Sequence, residues 1–368
     1  MQYVLREDNM TKLIAFHLPQ YHPIPENDEW WGKGFTEWTN VVRARPLFPG
    51  HYQPHLPTDL GFYDLRLPEA RQAQADLARA YGIHAFCYYH YWFSGRRILE
   101  RPVDEILSSG KPDFPFCLCW ANENWTRTWD GGDQDILLSQ SYDKSDIQRH
   151  AHWLVNAFTD KRYLQHDGMP VFLIYNTSSL QGAEQFATVL RETAIQAGLK
   201  GVHLVRVDSF SCMPGALPKG FNASLSFQPS RSLYGRPLAR NFWQRQLMRA
   251  GLLPRVHLDH DIRSYPELVE KAIRTPLPSW TQHQCVTPMW DNSPRRKKGA
   301  TIFIDSSPAL FKKWLIAEIR KSKAHNDDMV FINAWNEWGE GNHLEPCERW
   351  GHSYLEAVQE ALQETENE

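Results

Sequence analysis

Eight short apolar runs recur along this chain, most of them followed by a helical stretch. That alternation limits the fold more than any other feature. The runs are KLIAFHLPQYH (12–22), HAFCYYHYW (84–92), FPFCLCWANENW (114–125), PVFLIYN (170–176), GVHLVRVDS (201–209), FNASLSFQPS (221–230), QCVTPMWDNS (284–293) and MVFINAWNEWGEG (329–341). Between and after them, 68–82, 145–160, 182–198, 306–322 and 353–364 carry apolar residues at helical spacing. Ser145 is a candidate N-cap, Pro308 fits a first helical turn, and Gly110 and Gly198 fit helix ends.

Such alternation builds either a doubly wound sheet or a barrel. No glycine-rich turn follows the first run, so the dinucleotide fingerprint is missing. The unusual residues also stand at the end of every run, not at one switch point. In a barrel those ends form a single face. The expectation is therefore an α/β fold, a (β/α)8 TIM barrel in one domain over 1–368. The polar region 231–281 is an insertion suited to a lid or subdomain.

A formal charge of −3, from 40 basic and 43 acidic residues, excludes a broad basic surface and with it nucleic acid as a partner. No run reaches the roughly 18 to 20 apolar residues that span a bilayer. Arg6, Glu7 and Asp8 stand where a signal peptide needs an apolar stretch, so the expected location is cytoplasmic. Cys87, Cys117, Cys119, Cys212, Cys285 and Cys347 form no CxxC pair and read as reduced and mostly buried. No metal or other cofactor is expected.

The run ends deliver aromatic platforms interleaved with amides and carboxylates, and 13% of the chain is aromatic. Tyr21 and His22 end the first run, Tyr89, His90 and Tyr91 the second, and Trp120, Asn122, Glu123 and Trp125 the third. Asp208, Gln228, Trp290 and Asp291 follow the fifth, sixth and seventh, and Asn336, Trp338 and His343 the eighth. Trp31, Glu37 and Trp38 lie in the long aromatic loop after the first. All are candidate ligands of a polyhydroxylated neutral molecule. Flat rings cover sugar C–H faces while amides and acids bind hydroxyls. Trp338→Ala is accordingly expected to weaken glycan binding by about 1–3 kcal/mol.

The sharpest element is WNEWGEGNHLEP (335–346), with Glu337 and Glu340 three residues apart beside Trp335 and Trp338. Glycosidic cleavage needs one carboxyl to protonate the leaving oxygen and a second to act as base or nucleophile. Two close carboxylates in a dry setting also drive their pKa values apart. An acidic surface loop would rarely set Trp335 and Trp338 around its charges.

The segments FHLPQYHPIPENDEWWGKGFTEWTNV (16–41), HAFCYYHYWFSGRRILERP (84–102), FCLCWANENWTRTWDG (116–131) and NAWNEWGEGNHLEP (333–346) resemble the WbsX-type family. Its members are encoded with bacterial polysaccharide and O-antigen genes and are often labelled glycosyltransferases. That family is in turn distantly similar to glycoside hydrolase family 99, the endo-α-mannosidases, mainly through NEWGEG and the strand order. The second resemblance implies a retaining reaction on an α-linked sugar without a protein nucleophile. Glu337 would take the proton of the substrate's own 2-hydroxyl. Glu340 would be the general acid/base. A 1,2-anhydro sugar would form between the two steps. The sugar-binding loops, including 24–40, depart from the family 99 pattern, so rhamnose fits as well as mannose.

Other readings remain beside these. Glu123 is either an acid in a two-carboxylate scheme or, as preferred, a hydroxyl ligand. Glu37 either binds sugar or pins its loop. His17 reads as a satisfied core histidine. Asp259-His260-Asp261 matches the D-x-D pattern of nucleotide-sugar transferases, and SPRRKKG (293–299) is either a solvated loop or a phosphate site. The alternative function is thus a nucleotide-sugar-dependent glycosyltransferase of lipopolysaccharide synthesis. A third is a carbohydrate-binding protein with a degenerate site.

Overall fold

In the computed structural model, which describes residues 11–127, 132–140, 142–209, 215–238, 242–253 and 255–367, eight parallel strands close on themselves. They are β1 (Lys12–His17), β2 (Ile83–His90), β3 (Phe116–Trp120), β4 (Met169–Ile174), β5 (His203–Val207), β6 (Ala223–Leu225), β7 (Gln282–Val286) and β8 (Met329–Ile332). Each pairs with its neighbours in chain order, and β8 closes the ring on β1 through Ala15↔Ile332. The expected (β/α)8 barrel is the observed fold.

The strands are buried on both faces, because one set of side chains fills the barrel and the other packs under helices. One apolar cluster runs through all eight strands. The outer layer is α1 (Pro68–Ala80), α2 (Arg101–Ser109), α3 (Lys144–Phe158), α4 (Ala183–Gln196), α5 (Tyr265–Arg274), α6 (Pro308–Ala324) and α7 (Ser353–Glu366). Gly110, at φ 68°, ends α2, and Ser307 caps α6 ahead of Pro308. The cap of α3 is Asp143, not Ser145: its carboxylate accepts the Asp146 amide, while the Ser145 hydroxyl donates to Asp143.

The region 231–281 divides. Its last part is α5, an ordinary barrel helix capped by Ser264 and packed beside α6. Before it, Asp261–Ser264 pairs in parallel with Thr301–Ile304 above the barrel, in register Asp261↔Thr301. The true insertion therefore ends near residue 260. Cys87, Cys117, Cys119, Cys285 and Cys347 are free thiols and buried; Cys212 lies outside the described residues.

Candidate active site

Beyond Ile332 the chain leaves the barrel rim and folds into a small hairpin. Asn336–Glu337 pairs antiparallel with Asn342–His343, and a 3-10 turn, Trp338–Glu340, forms its tip. Asn336 pins this hairpin to β1. Its side chain accepts the Leu18 amide at 2.7 Å and donates to the Leu18 carbonyl at 3.1 Å. The Tyr21 hydroxyl accepts the Trp338 amide at 3.2 Å and donates to the Asn336 carbonyl. Gly341, at φ +54°, lets the turn close against Asp291, which donates its amide to the Glu340 carbonyl at 2.7 Å.

The turn presents Glu337 and Glu340 to one guanidinium. Arg295 donates Nη2 to Glu337 and Nη1 to Glu340, the latter at 3.0 Å. Its Nε donates to Glu37 at 2.8 Å. Three carboxylates thus converge on one largely buried cation, and Glu37 itself is fully buried. Burial pushes Glu337 up to about 8; Arg295 opposes this, and Glu340 and Glu37 add to it. Glu340 is also raised by burial, against Arg295 and with Glu37. Burial alone would lower the Arg295 pKa, but the three acids outweigh it and the guanidinium stays charged.

Glu337 and Glu340 form part of the wall of a cavity of about 270 Å³ at the C-terminal ends of the strands. Tyr89, Glu123 and Trp290 line it as well. So do Tyr175, Phe227, Arg231, Tyr234, Asn292, Arg296, Thr301 and Asn333. The mixture of rings, amides and charges can stack against a sugar ring and bind its hydroxyls. Asp291 faces the far side of Trp290, in a second cavity of about 280 Å³. There it accepts from Gln53 at 2.6 Å and lies 2.7 Å from His51. Burial would raise its pKa, yet these partners hold it below the usual carboxylate value.

Several other candidates support the hairpin from beneath. Trp338 is buried, stacks on His343 with ring centroids 3.7 Å apart, and donates Nε1 to Glu345 at 2.7 Å. Trp38 packs on Tyr21 and donates to the Tyr63 carbonyl. His343 Nε2 lies 2.9 Å from His55 Nδ1. His22 is buried and its pKa pushed down to about 4, chiefly by burial. His17 behaves as a core histidine, bonded to Gln74 and pushed down to about 3 by burial.

Another group does not line the cavity. His90 stacks on Trp153 of α3 and lies 2.9 Å from His150, and Trp120 packs on His150 and Phe186. Asn122 ties β3 to β4 by exchanging bonds with the backbone of Asn176. Asp208 is held by Arg206 and Gln282, and Gln228 by the Ser230 amide. Tyr91, Trp125 and Trp31 form an aromatic rim with Trp30. In the D-x-D segment, Asp261 pairs with Arg263 and Asp259 faces Lys298.

Arg231 and Tyr234 did not stand out in the sequence. Arg295 and Arg296 belong to SPRRKKG (293–299), read above as a solvated loop or a phosphate site; Arg295 instead pairs with the three acids, and Arg296 lines the cavity. Glu345 also escaped notice. It receives bonds from Gln74, Tyr63 and Trp338, and burial pushes it up to about 7.

The family model for the WbsX glycosyltransferases matches residues 13–358. This chain belongs to that family. WxcX of two strains of Xanthomonas campestris pv. campestris, described as an uncharacterized protein, is 41% identical over 361 residues, 97% of this chain. This WbsX-family chain spans about half the length of those relatives. Among solved structures, the GH99 endo-alpha-mannosidase of Bacteroides thetaiotaomicron superposes with a TM-score of 0.57 at 13% identity, covering 98% of both chains. A glycoside hydrolase-like protein gives 0.59 at 14%, covering 98% of this chain and 97% of its own. These two share the fold.

Proposed function

We propose that this protein cleaves, or transfers across, an α-linked glycosidic bond of a bacterial surface polysaccharide with retention. The observation that carries the reading is the convergence of Glu337 and Glu340 on Arg295 at the wall of an aromatic cavity. The fold shared with an endo-alpha-mannosidase supports the same chemistry. Glu337, as carboxylate, takes the proton of the sugar 2-hydroxyl. That oxygen attacks C1, the C1–O glycosidic bond breaks, and the leaving oxygen takes its proton from Glu340. Water, deprotonated by Glu340, then opens the 1,2-anhydro ring at C1, and Glu337 returns the proton to O2. Arg295 favours the ionised form that Glu337 needs, against the burial that disfavours it. The three acids and the guanidinium titrate as one unit. The single core shared by all eight strands supports one catalytic domain.

A second reading is transfer from a nucleotide sugar. Arg231 and Arg296 line the same cavity and suit a phosphate. Proton NMR of the protein with manno- and rhamno-oligosaccharides, with and without nucleotide sugars, separates the two. A new reducing end without nucleotide, lost in Glu340→Gln, supports glycoside cleavage. Nucleotide release only with donor and acceptor together supports transfer. Turnover of a 2-deoxy glycoside would remove the 1,2-anhydro route.

A further inference from the structure

The insertion between residues 231 and 258 has a composition unlike the rest of the chain. It holds arginines at 231, 236, 240, 245, 249 and 255 and no aspartate or glutamate, in a protein of net charge −3. It also carries six of the eleven exposed large apolar side chains among the described residues. These are Phe242, Trp243, Leu247, Leu252, Leu253 and Leu258, with Trp243 and Leu252 more than two thirds exposed. Helix Phe242–Arg249 sets Trp243 and Leu247 one turn apart, with Arg245 and Arg249 exposed beside them. An isolated exposed leucine needs no explanation, but six in 17 residues among arginines do.

Both ends of this arm are fixed at the cavity rim. Leu238 donates its amide to the Ile262 carbonyl at 3.0 Å, and Arg263 donates to the Gly235 carbonyl. Gly299 donates to the Asp259 carbonyl at 2.7 Å. Leu238 and Val256 pack on Ile262, Ala300 and Ile302. Tyr234, Gly299 and Thr301, at or beside these stems, line the cavity. The arm therefore stands beside the mouth of the cavity.

We propose that this arm docks on the surface of an anionic lipid bilayer, with Trp243 and the leucines entering the interface and Arg245, Arg249 and Arg255 meeting the headgroups. Exposed tryptophan and leucine interleaved with arginine, without acids, is the pattern that binds such a surface: apolar burial and headgroup attraction add. Charge complementarity selects the anionic bilayer, since a segment with six arginines and no aspartate or glutamate of its own repels a basic or second arginine-rich surface. Among the described residues no helix is long and apolar enough to cross a membrane. The inference stands apart from the glycosidic reading, and its test contains no saccharide.

Sedimentation of the full chain with sucrose-loaded vesicles tests it, using phosphatidylcholine alone and phosphatidylcholine mixed with phosphatidylglycerol. The expected result is binding to the mixed vesicles only, weakened by salt. Two double variants should each lower the vesicle-bound fraction about tenfold at low salt. One is Trp243→Ser with Leu252→Ser; the other is Arg249→Glu with Arg255→Glu. Thermal melting confirms that each is folded, and if one is not, the other carries the test. Equal binding to both vesicle types, or none, overturns the proposal. So does a dimer of the wild type that Trp243→Ser with Leu252→Ser dissolves, because a second copy would then cover the arm.

Discussion

Glu37 occupies the space that a side chain on Gly339 would need: a Cβ there would lie 1.8 Å from the Glu37 Oε1 and 2.8 Å from the Arg295 Nε. The two residues are 302 positions apart in sequence, and the backbone of the catalytic-candidate turn touches the carboxylate of a loop from the other end of the chain. The glycine between Glu337 and Glu340 is thus a packing requirement.

Gly339→Ala should push Glu37 off Arg295. Overpacking of this kind costs about 1–3 kcal/mol, and the ion pair at 2.8 Å would open as well. The expected outcome is a lower melting temperature together with lost turnover. Unchanged melting and turnover would show that the turn tolerates a methyl group.

Arg295→Gln removes the cation that pairs with all three acids and leaves Glu37, Glu337 and Glu340 facing each other. Loss of one partner from a buried ionic group costs about 3–5 kcal/mol. With Glu337 as base, the wild-type rate falls as pH drops below about 8, where Glu337 takes up its proton. In Arg295→Gln that acid limb should move to higher pH, because the group that lowers the Glu337 pKa is gone. A pH profile of kcat/KM reads it, and an unmoved limb would assign the limb to another group.

Glu345 gives a stability prediction with a definite sign. Its carboxyl is raised from 4.5 to about 7, so the folded state holds the proton more tightly than the unfolded chain. Stability from this group is present below pH 4.5 and is lost as pH rises to about 7. The loss is on the order of 3 kcal/mol. Denaturant midpoints across this range, compared between wild type and Glu345→Gln, isolate it from the histidines. The variant should lack this decline, and parallel curves would refute the assignment.

Trp338→Ala should act on stability. The indole is buried against His343 and Trp38 and bonded to Glu345, not set in the cavity wall. Its removal should cost about 3–5 kcal/mol. Trp290→Ala, by contrast, opens the cavity wall and should raise KM. Calorimetry beside saccharide titration of both variants tells them apart; the reverse pattern would place the sugar under the hairpin.

Local sequence determined much of this protein. Apolar runs of strand length alternating with helical stretches imposed the barrel, since each run had to be covered on both faces. Glu337 and Glu340 were legible because two acids beside two tryptophans make little sense except in a dry site. Facing was not legible. In β2 and β3, aromatic residues stand on both sides, so alternation does not tell that Tyr89 looks into the cavity while His90 and Trp120 look onto α3 and α4. Nor could spacing show that Arg295 returns from its loop to hold Glu37 and both candidate catalytic acids, or that the hairpin buries Trp338. Those positions depend on contacts between residues 42 to 258 positions apart, and only closure of the barrel brings them together.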